Sequence, residues 1–292
     1  MTEHNEHSCN CGSSQENSCD CGGSHGESCG SSGCNCKNEE EKKAPDFNNI
    51  KHVVAVMSGK GGVGKSSFAS LLAIALNKKG YKVGILDADI TGPSIPKLFG
   101  VKGLPEQNEK GVLPKKSKTG IGLMSINLLL PQEDEPVIWR GPIISGVIKQ
   151  FWEEVIWDDL DYLIVDLPPG TGDAPLTVLQ SLNLDGVLIV TSPQDLANMV
   201  VRKAIKMAQK MDIPVLGIVE NMSYLPCPDC GKRINLFGES NVEKTCAELN
   251  VDLIGKFPLD PELASLSDKG AIEDYQGNNL TLLAENLDFL NK

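Results

Sequence analysis

No stretch of this 292-residue chain is apolar for long enough to span a bilayer, and it does not open on a basic segment followed by an apolar one. A membrane span and a secretory leader are therefore not expected, and the expected location is the cytoplasm. Basic residues are in short supply: 27 lysines and arginines stand against 39 acids, a net charge of −12. So acidic a chain is poorly matched to the phosphate backbone of DNA or RNA, which argues against broad nucleic-acid binding. Cysteine is scarce beyond residue 45, where only Cys227, Cys230 and Cys246 occur. Aliphatic side chains are almost missing from residues 1–45, which hold the other seven cysteines.

Residues 1–45 are mostly Ser, Gly, Asn, Glu, His and Cys, with eight acids and three lysines. Such a segment cannot bury enough apolar surface to offset its ordering entropy, so a disordered tail is expected. It carries a near-repeat of ten residues: SCNCG at 8–12, SCDCG at 18–22, SCG at 28–30, then CNC at 34–36. With His4, His7 and His25 close by, these pairs have the composition of soft-metal ligands. The plain alternative is a solubilising tail with idle thiols. In a reducing compartment ten cysteines point to metal or redox chemistry before disulfides. The charged hinge EEEKKAP, 39–45, ends the tail.

The character then changes. HVVAVMS (52–58) has the β-branched run of a buried strand, and 63–80 has helical spacing closed by glycine. Further strands are expected at YKVGILDAD (81–89), DYLIVDLPP (161–169), GVLIVTSP (186–193), IPVLGIVENM (213–222) and VDLIGKFPL (251–259). Helices are expected at about 142–156, 173–183, 195–210 and 240–249. Near-continuous apolar strands alternating with helices predict one α/β domain, 46–292, with a mostly parallel sheet covered on both faces. Its ligand would sit at the carboxyl ends of the strands. Residues 104–126 break the alternation and suggest a small hairpin insertion.

GKGGVGKS, 59–66, follows a strand and opens a helix, the context that a phosphate-binding loop requires. Gly59, Gly61, Gly62, Val63 and Gly64 supply a backbone that can wrap with its N–H groups turned inward. The helix N-terminus adds its positive end. Lys65 would reach the outer phosphates, the Ser66 hydroxyl can ligate Mg²⁺, and Ser67 follows in the same turn. Lys60 puts a second lysine in the loop. It is either a solvated charge or a lysine aimed across a dimer interface at the partner's nucleotide. Asp87, Asp89 and Asp166 end apolar strands, where carboxylates can hold the Mg²⁺ shell and orient a water. A single aspartate there is often a helix cap; three in register with a phosphate loop favour an active site.

GKGGVGKS, LDADITGPS, WRGPIISG (139–146), VDLPPGTGD, VTSPQDLA (190–197), ENMSY (220–224), CPDCG and FPLDP (257–261) occur in this order. Over about residues 48–290 the chain resembles the Mrp/ApbC-type ATP-dependent iron–sulfur cluster carriers. These sit in the deviant-Walker P-loop class with MinD, ParA and nitrogenase iron protein. The resemblance implies a P-loop NTPase fold, a nucleotide-bridged homodimer, and slow ATP hydrolysis coupled to cluster delivery. The cofactors it implies are ATP, Mg²⁺ and a cluster, with [4Fe–4S] favoured; the partners are an assembly scaffold and apo iron–sulfur proteins. Lys60 then matches the signature lysine and Asp89 the residue that positions the attacking water. Asp87 and Asp166 match positions near Mg²⁺. Asn221 matches the adenine contact, with the Pro258 to Asp260 turn nearby. Cys227 and Cys230 match the bridging cluster ligands. The tail departs from the four-cysteine motif of eukaryotic relatives.

A Cys-x-x-Cys pair is half of a four-ligand site. Cys246 falls in a helical pattern, as a small core residue would. A twofold axis would bring together four thiolates from two chains. Three other readings stay open: a structural Zn²⁺ site on the same thiolates, a redox dithiol, and a MinD- or ParA-like positioning ATPase. The last wants a basic amphipathic C-terminus, whereas NNLTLLAENLDFLNK is acidic and its apolar side is expected to pack on the domain.

Overall fold

The computed structural model describes residues 48–90, 92–129 and 141–291. The expected disordered tail, 1–45, and the first two residues of WRGPIISG lie outside them. In chain order the elements begin with β1 (Asn49–Ser58), α1 (Lys65–Lys78), β2 (Val83–Asp87) and α2 (Ile95–Phe99). Then come β3 (Gln107–Asn108), β4 (Gly111–Val112), β5 (Lys115–Lys116), β6 (Gly122–Ser125) and α3 (Gly141–Glu154). β7 (Asp159–Asp166), α4 (Asp173–Ser181), β8 (Gly186–Thr191), α5 (Asp195–Lys210) and β9 (Val215–Glu220) follow. The chain continues through β10 (Leu225–Pro226), β11 (Arg233–Ile234), α6 (Val242–Leu249), β12 (Leu253–Lys256), α7 (Pro261–Asp268) and α8 (Asn278–Glu285).

Among the described residues eight strands form one sheet in the order β12-β9-β8-β1-β7-β2-β6-β5. Every pairing in it is parallel except β5 with β6. Alternate residues of β1 feed two cores. Val53, Ala55 and Met57 pack with residues of α3, α4 and α5 on one face. Val54 and Val56 pack with residues of α1, α2 and α8 on the other. A sheet so covered has no polar face, which is why its strands are near-continuous apolar runs.

Residues 104–126 are only partly the expected insertion. β3 and β4 do pair as an antiparallel hairpin. GLMS, however, forms β6, which lies parallel to β2 inside the main sheet. With a four-residue run and no helix directly before it, the sequence offered no alternation to mark it. The C-terminal segment packs as expected, with Leu280, Leu283, Leu287 and Phe289 buried in the second core. Among the described residues no helix is long and apolar enough to cross a membrane.

Candidate functional site

β1 lies between β7 and β8 and delivers the loop 59–64 at the carboxyl edge of the sheet. Gly62 and Gly64 take left-handed φ values of 80° and 79°, a conformation open to glycine and strained for most other residues. A Cβ on Gly64 would sit 2.4 Å from Asn221 Nδ2, and one on Gly59 would sit 2.3 Å from Val200 Cγ1 of α5. The loop is thus pressed between α5 and the end of β9. Gly64 is also the N-cap of α1, and no side chain caps that helix. Its first-turn amides are left for a ligand, the arrangement that suits a phosphate.

Beneath the loop, strand register decides the chemistry. Asp87 of β2 and Asp166 of β7 are lateral partners at the ends of their strands. Both are fully buried. Lys65 Nζ donates to Asp166 Oδ1 at 2.6 Å and stands 3.9 Å from Asp89 Oδ2. Ser66 Oγ donates to the other oxygen of Asp166. Asp87 accepts from the backbone N–H of Asp89 at 3.2 Å, of Ser94 at 3.1 Å and of Ile95 at 3.2 Å, and from Ser125 Oγ at 3.1 Å. Burial above all, then the neighbouring Asp166, pushes the Asp87 carboxyl from 3.8 to about 7. Burial also raises Asp166, against the pull of Lys65. Desolvation outweighs one lysine shared among three carboxylates. Excess buried negative charge beside a serine hydroxyl and uncapped helix amides fits a divalent cation with a polyphosphate.

Asn221 follows β9. Its Nδ2 donates to the Val63 carbonyl at 2.9 Å. Gly64, Ser67, Asn221, Pro258 and Asp260 line one cavity of about 290 Å³, closed on its far side by α7. Asp260 caps α7 by accepting from Glu262 N at 2.9 Å and takes the Tyr275 hydroxyl at 2.7 Å. Asn279 Nδ2 donates to the Pro258 carbonyl at 3.2 Å. Lys60 Nζ donates to Gln194 Oε1 within the same chain. The loop residues Gly59 to Ser67 and the three aspartates therefore converge, and the Asn221, Pro258 and Asp260 group borders them.

The cysteine pair stands apart from them, between β10 and β11. Cys227 N donates to the Lys232 carbonyl and Gly231 N to the Cys227 carbonyl, both at 2.9 Å, closing a tight knuckle. Gly231 makes the turn at φ 70°. Cys227 is half-buried and Cys230 exposed. The backbone N–H groups of Cys230, then Asp229, hold the Cys227 thiol below its usual range. Among the described residues no third His, Cys, Asp or Glu joins the pair in a group able to hold a metal. Cys246 is buried in α6, where desolvation and Glu220 push its thiol up to about 11. It is a core residue, as its helical pattern implies.

Ser125, which steadies Asp87, is not marked by the sequence, because its four-residue strand lies within the 104–126 stretch that breaks the alternation. Nor does the sequence mark Gln194, the α7 wall of the cavity, or Glu220, which has no motif letter of known chemistry attached.

Comparison with known proteins agrees with this geometry. A family model described as ParA, NUBPL iron-transfer P-loop NTPase, matches residues 49–287. A protein of Methanocaldococcus jannaschii named iron-sulfur cluster carrier protein is 48% identical over 234 residues, 80% of this chain and 81% of that one. One of Clostridium perfringens with the same name is 44% identical over 246 residues, 82% of this chain and 86% of that one. Among solved structures, a nucleotide-binding protein of Archaeoglobus fulgidus in complex with ADP superposes with a TM-score of 0.72. It is 46% identical and covers 80% of this chain and 91% of its own. MinD of Aquifex aeolicus shares the fold alone, at 21% identity and a TM-score of 0.55, over 82% of this chain and 95% of its own. A match of that extent, on a chain whose glycine loop and strand-end aspartates converge as a nucleotide site requires, means that this protein belongs to the NUBPL iron-transfer P-loop NTPases of the ParA class.

Proposed function

We propose that this protein is an ATP-dependent iron–sulfur cluster carrier. Two copies would hold a cluster between them through Cys227 and Cys230 and hand it to apoproteins. The observation that carries this reading is the knuckle: two accessible thiols, one held toward its thiolate, with no third ligand near them among the described residues. That is half of the four-thiolate set a cluster takes, on a fold whose relatives are named cluster carriers. Ile234, Leu236 and Phe237 are exposed just beyond the pair. An apolar patch there suits contact with a second copy. The cluster is cargo, with [4Fe–4S] the type expected, received from an assembly scaffold in the cytoplasm.

ATP would lie with its phosphates in the loop 59–66 and its base toward Asn221, Pro258 and Asp260. Bound Mg²⁺ would neutralise phosphate charge, held by Ser66 with Asp87 and Asp166 around it. Lys65 exchanges Asp166 for phosphate oxygens. Asp89 orients the attacking water. Lys60 leaves Gln194 and reaches the nucleotide of the other subunit.

The test is iron, acid-labile sulfide and zinc per chain in anaerobically purified full-length protein and in the double variant Cys227→Ala/Cys230→Ala. The expected result is a loss of about two iron and two sulfide per chain in the variant, one four-iron cluster shared by two chains. Equal iron and sulfide in both proteins refutes the reading. Zinc without sulfide, even after reconstitution, makes the knuckle a structural clasp.

A further inference from the structure

Glu220 ends β9 and is 1% exposed. Its carboxylate accepts from two hydroxyls, Oε2 from Ser223 and Oε1 from Ser240. Those serines stand at the two ends of the excursion that carries the cysteine pair. The chain leaves the sheet at Ser223, runs through β10, Cys227, Cys230 and β11, and returns at Ser240. There the serine oxygen also accepts from Val242 N at 3.1 Å, at the start of α6. One buried carboxylate therefore clasps both ends of the loop.

The backbone of Glu220 is tied to residues that border the phosphate loop. Asn221 is the next residue, and its side chain holds the Val63 carbonyl of the phosphate loop and touches the space over Gly64. The Glu220 carbonyl accepts from Phe257 N at 2.8 Å, and Ser223 N donates to the Phe257 carbonyl at 2.8 Å. Phe257 leads directly into Pro258 and the cavity. A buried carboxylate is costly to desolvate, and an apolar contact would staple a loop at lower cost. What two hydroxyl–carboxylate bonds add is direction: they hold one geometry and are lost when either end turns.

We propose that Glu220 is a positioning residue that links occupancy of the phosphate loop to the geometry of Cys227 and Cys230, acting through Ser223 and Ser240. This rests on the knuckle being the cargo site. Nucleotide that moves Asn221 turns the end of β9, and the clasp passes the turn to the base of the hairpin. By linkage, whatever the thiols bind changes nucleotide affinity by the same factor.

The experiment is thiol alkylation by iodoacetamide on reduced full-length protein, with and without a non-hydrolysable ATP analogue and Mg²⁺. Peptide mass spectrometry reads Cys227 and Cys230 separately, and buried Cys246 serves as an internal check on folding. In the parent protein, saturating nucleotide is expected to change the labelling rate of the pair by roughly fivefold or more. In Ser240→Ala, and independently in Ser223→Ala, the ratio should fall toward one while nucleotide still binds; Ser240→Thr should restore it. A merely structural clasp would alter labelling equally in both states, and an unchanged ratio in both alanine variants overturns the proposal. So does a ratio of one in the parent protein. Failure of the cargo reading is told apart by its own signature, absence of iron and sulfide at the pair with the nucleotide effect on the thiols intact.

Discussion

In the absence of nucleotide, Asp87→Asn should make this protein more stable at alkaline pH. Asp87 is buried beside Asp166, and its carboxyl is displaced from 3.8 to about 7, by burial first and its neighbour second. At ~1.4 kcal/mol for each tenfold, ionised Asp87 opposes folding by roughly 4 kcal/mol above the folded value. Asparagine removes that charge but not without loss. It keeps one acceptor oxygen for Ser94 N, Ile95 N and Ser125 Oγ, and turns an amide on the N–H of Asp89. One such mismatch costs ~1–3 kcal/mol, which leaves a net gain of ~1–3 kcal/mol. The folded state holds this proton to higher pH than the unfolded chain. The group's contribution to wild-type stability is therefore full below about pH 4 and is lost as pH rises through about 7. The advantage of the variant should be near zero or reversed at about pH 5 and largest at about pH 8. Urea unfolding at three pH values, without nucleotide or Mg²⁺, reads it directly. A variant less stable than its parent at about pH 8, or a difference that does not change with pH, would refute the electrostatic account. The same variant should bind Mg²⁺–nucleotide more weakly, the exchange of stability for function expected at a charged site.

Gly64→Ala puts a Cβ on a left-handed residue and against Asn221 Nδ2; about tenfold weaker nucleotide binding or worse is expected by calorimetry. Alkylation at about pH 8 should modify Cys227, whose thiol the knuckle amides lower, and spare Cys246, held up near 11. Its rate at Cys227 should climb with pH below the ordinary thiol range; a Cys227 that reacts no faster than Cys246 contradicts this. Phe289→Ala opens a cavity in the second core and should cost ~3–5 kcal/mol in unfolding with nucleotide affinity unchanged. Little loss of stability would mean that the C-terminal segment does not pack as described.

The local parts of this protein were legible in one dimension. A glycine loop between a strand and a helix depends on backbone freedom and helix-end amides, and neighbouring letters decide both. The parallel sheet shows itself through continuous apolar runs, and the C-terminal segment through its apolar spacing with a net acidic charge. Boundaries held within a few residues for β1, α1 and α5, where one period runs unbroken. β6 was lost because four residues carry too little pattern to tell a sheet strand from a hairpin arm.

What only the tertiary structure decided is which distant residues share a low-dielectric space. Asp87 and Asp166 are 79 positions apart, and strand register makes them neighbours under Lys65. Their raised affinity for protons comes from the helices and strands that exclude water, which no motif encodes. Glu220 shows the same limit: within ENMSY it is one acid among letters of a pattern, and only the return of the chain at Ser240 makes it a clasp. The sequence by itself determined the loop, the strands and the pair of thiols, because bonded neighbours and periodicity specify them. Register, burial and the closing of the loop determined how those parts act on one another, because electrostatic and hydrogen-bond strengths depend on solvent exclusion, a property of the packed chain.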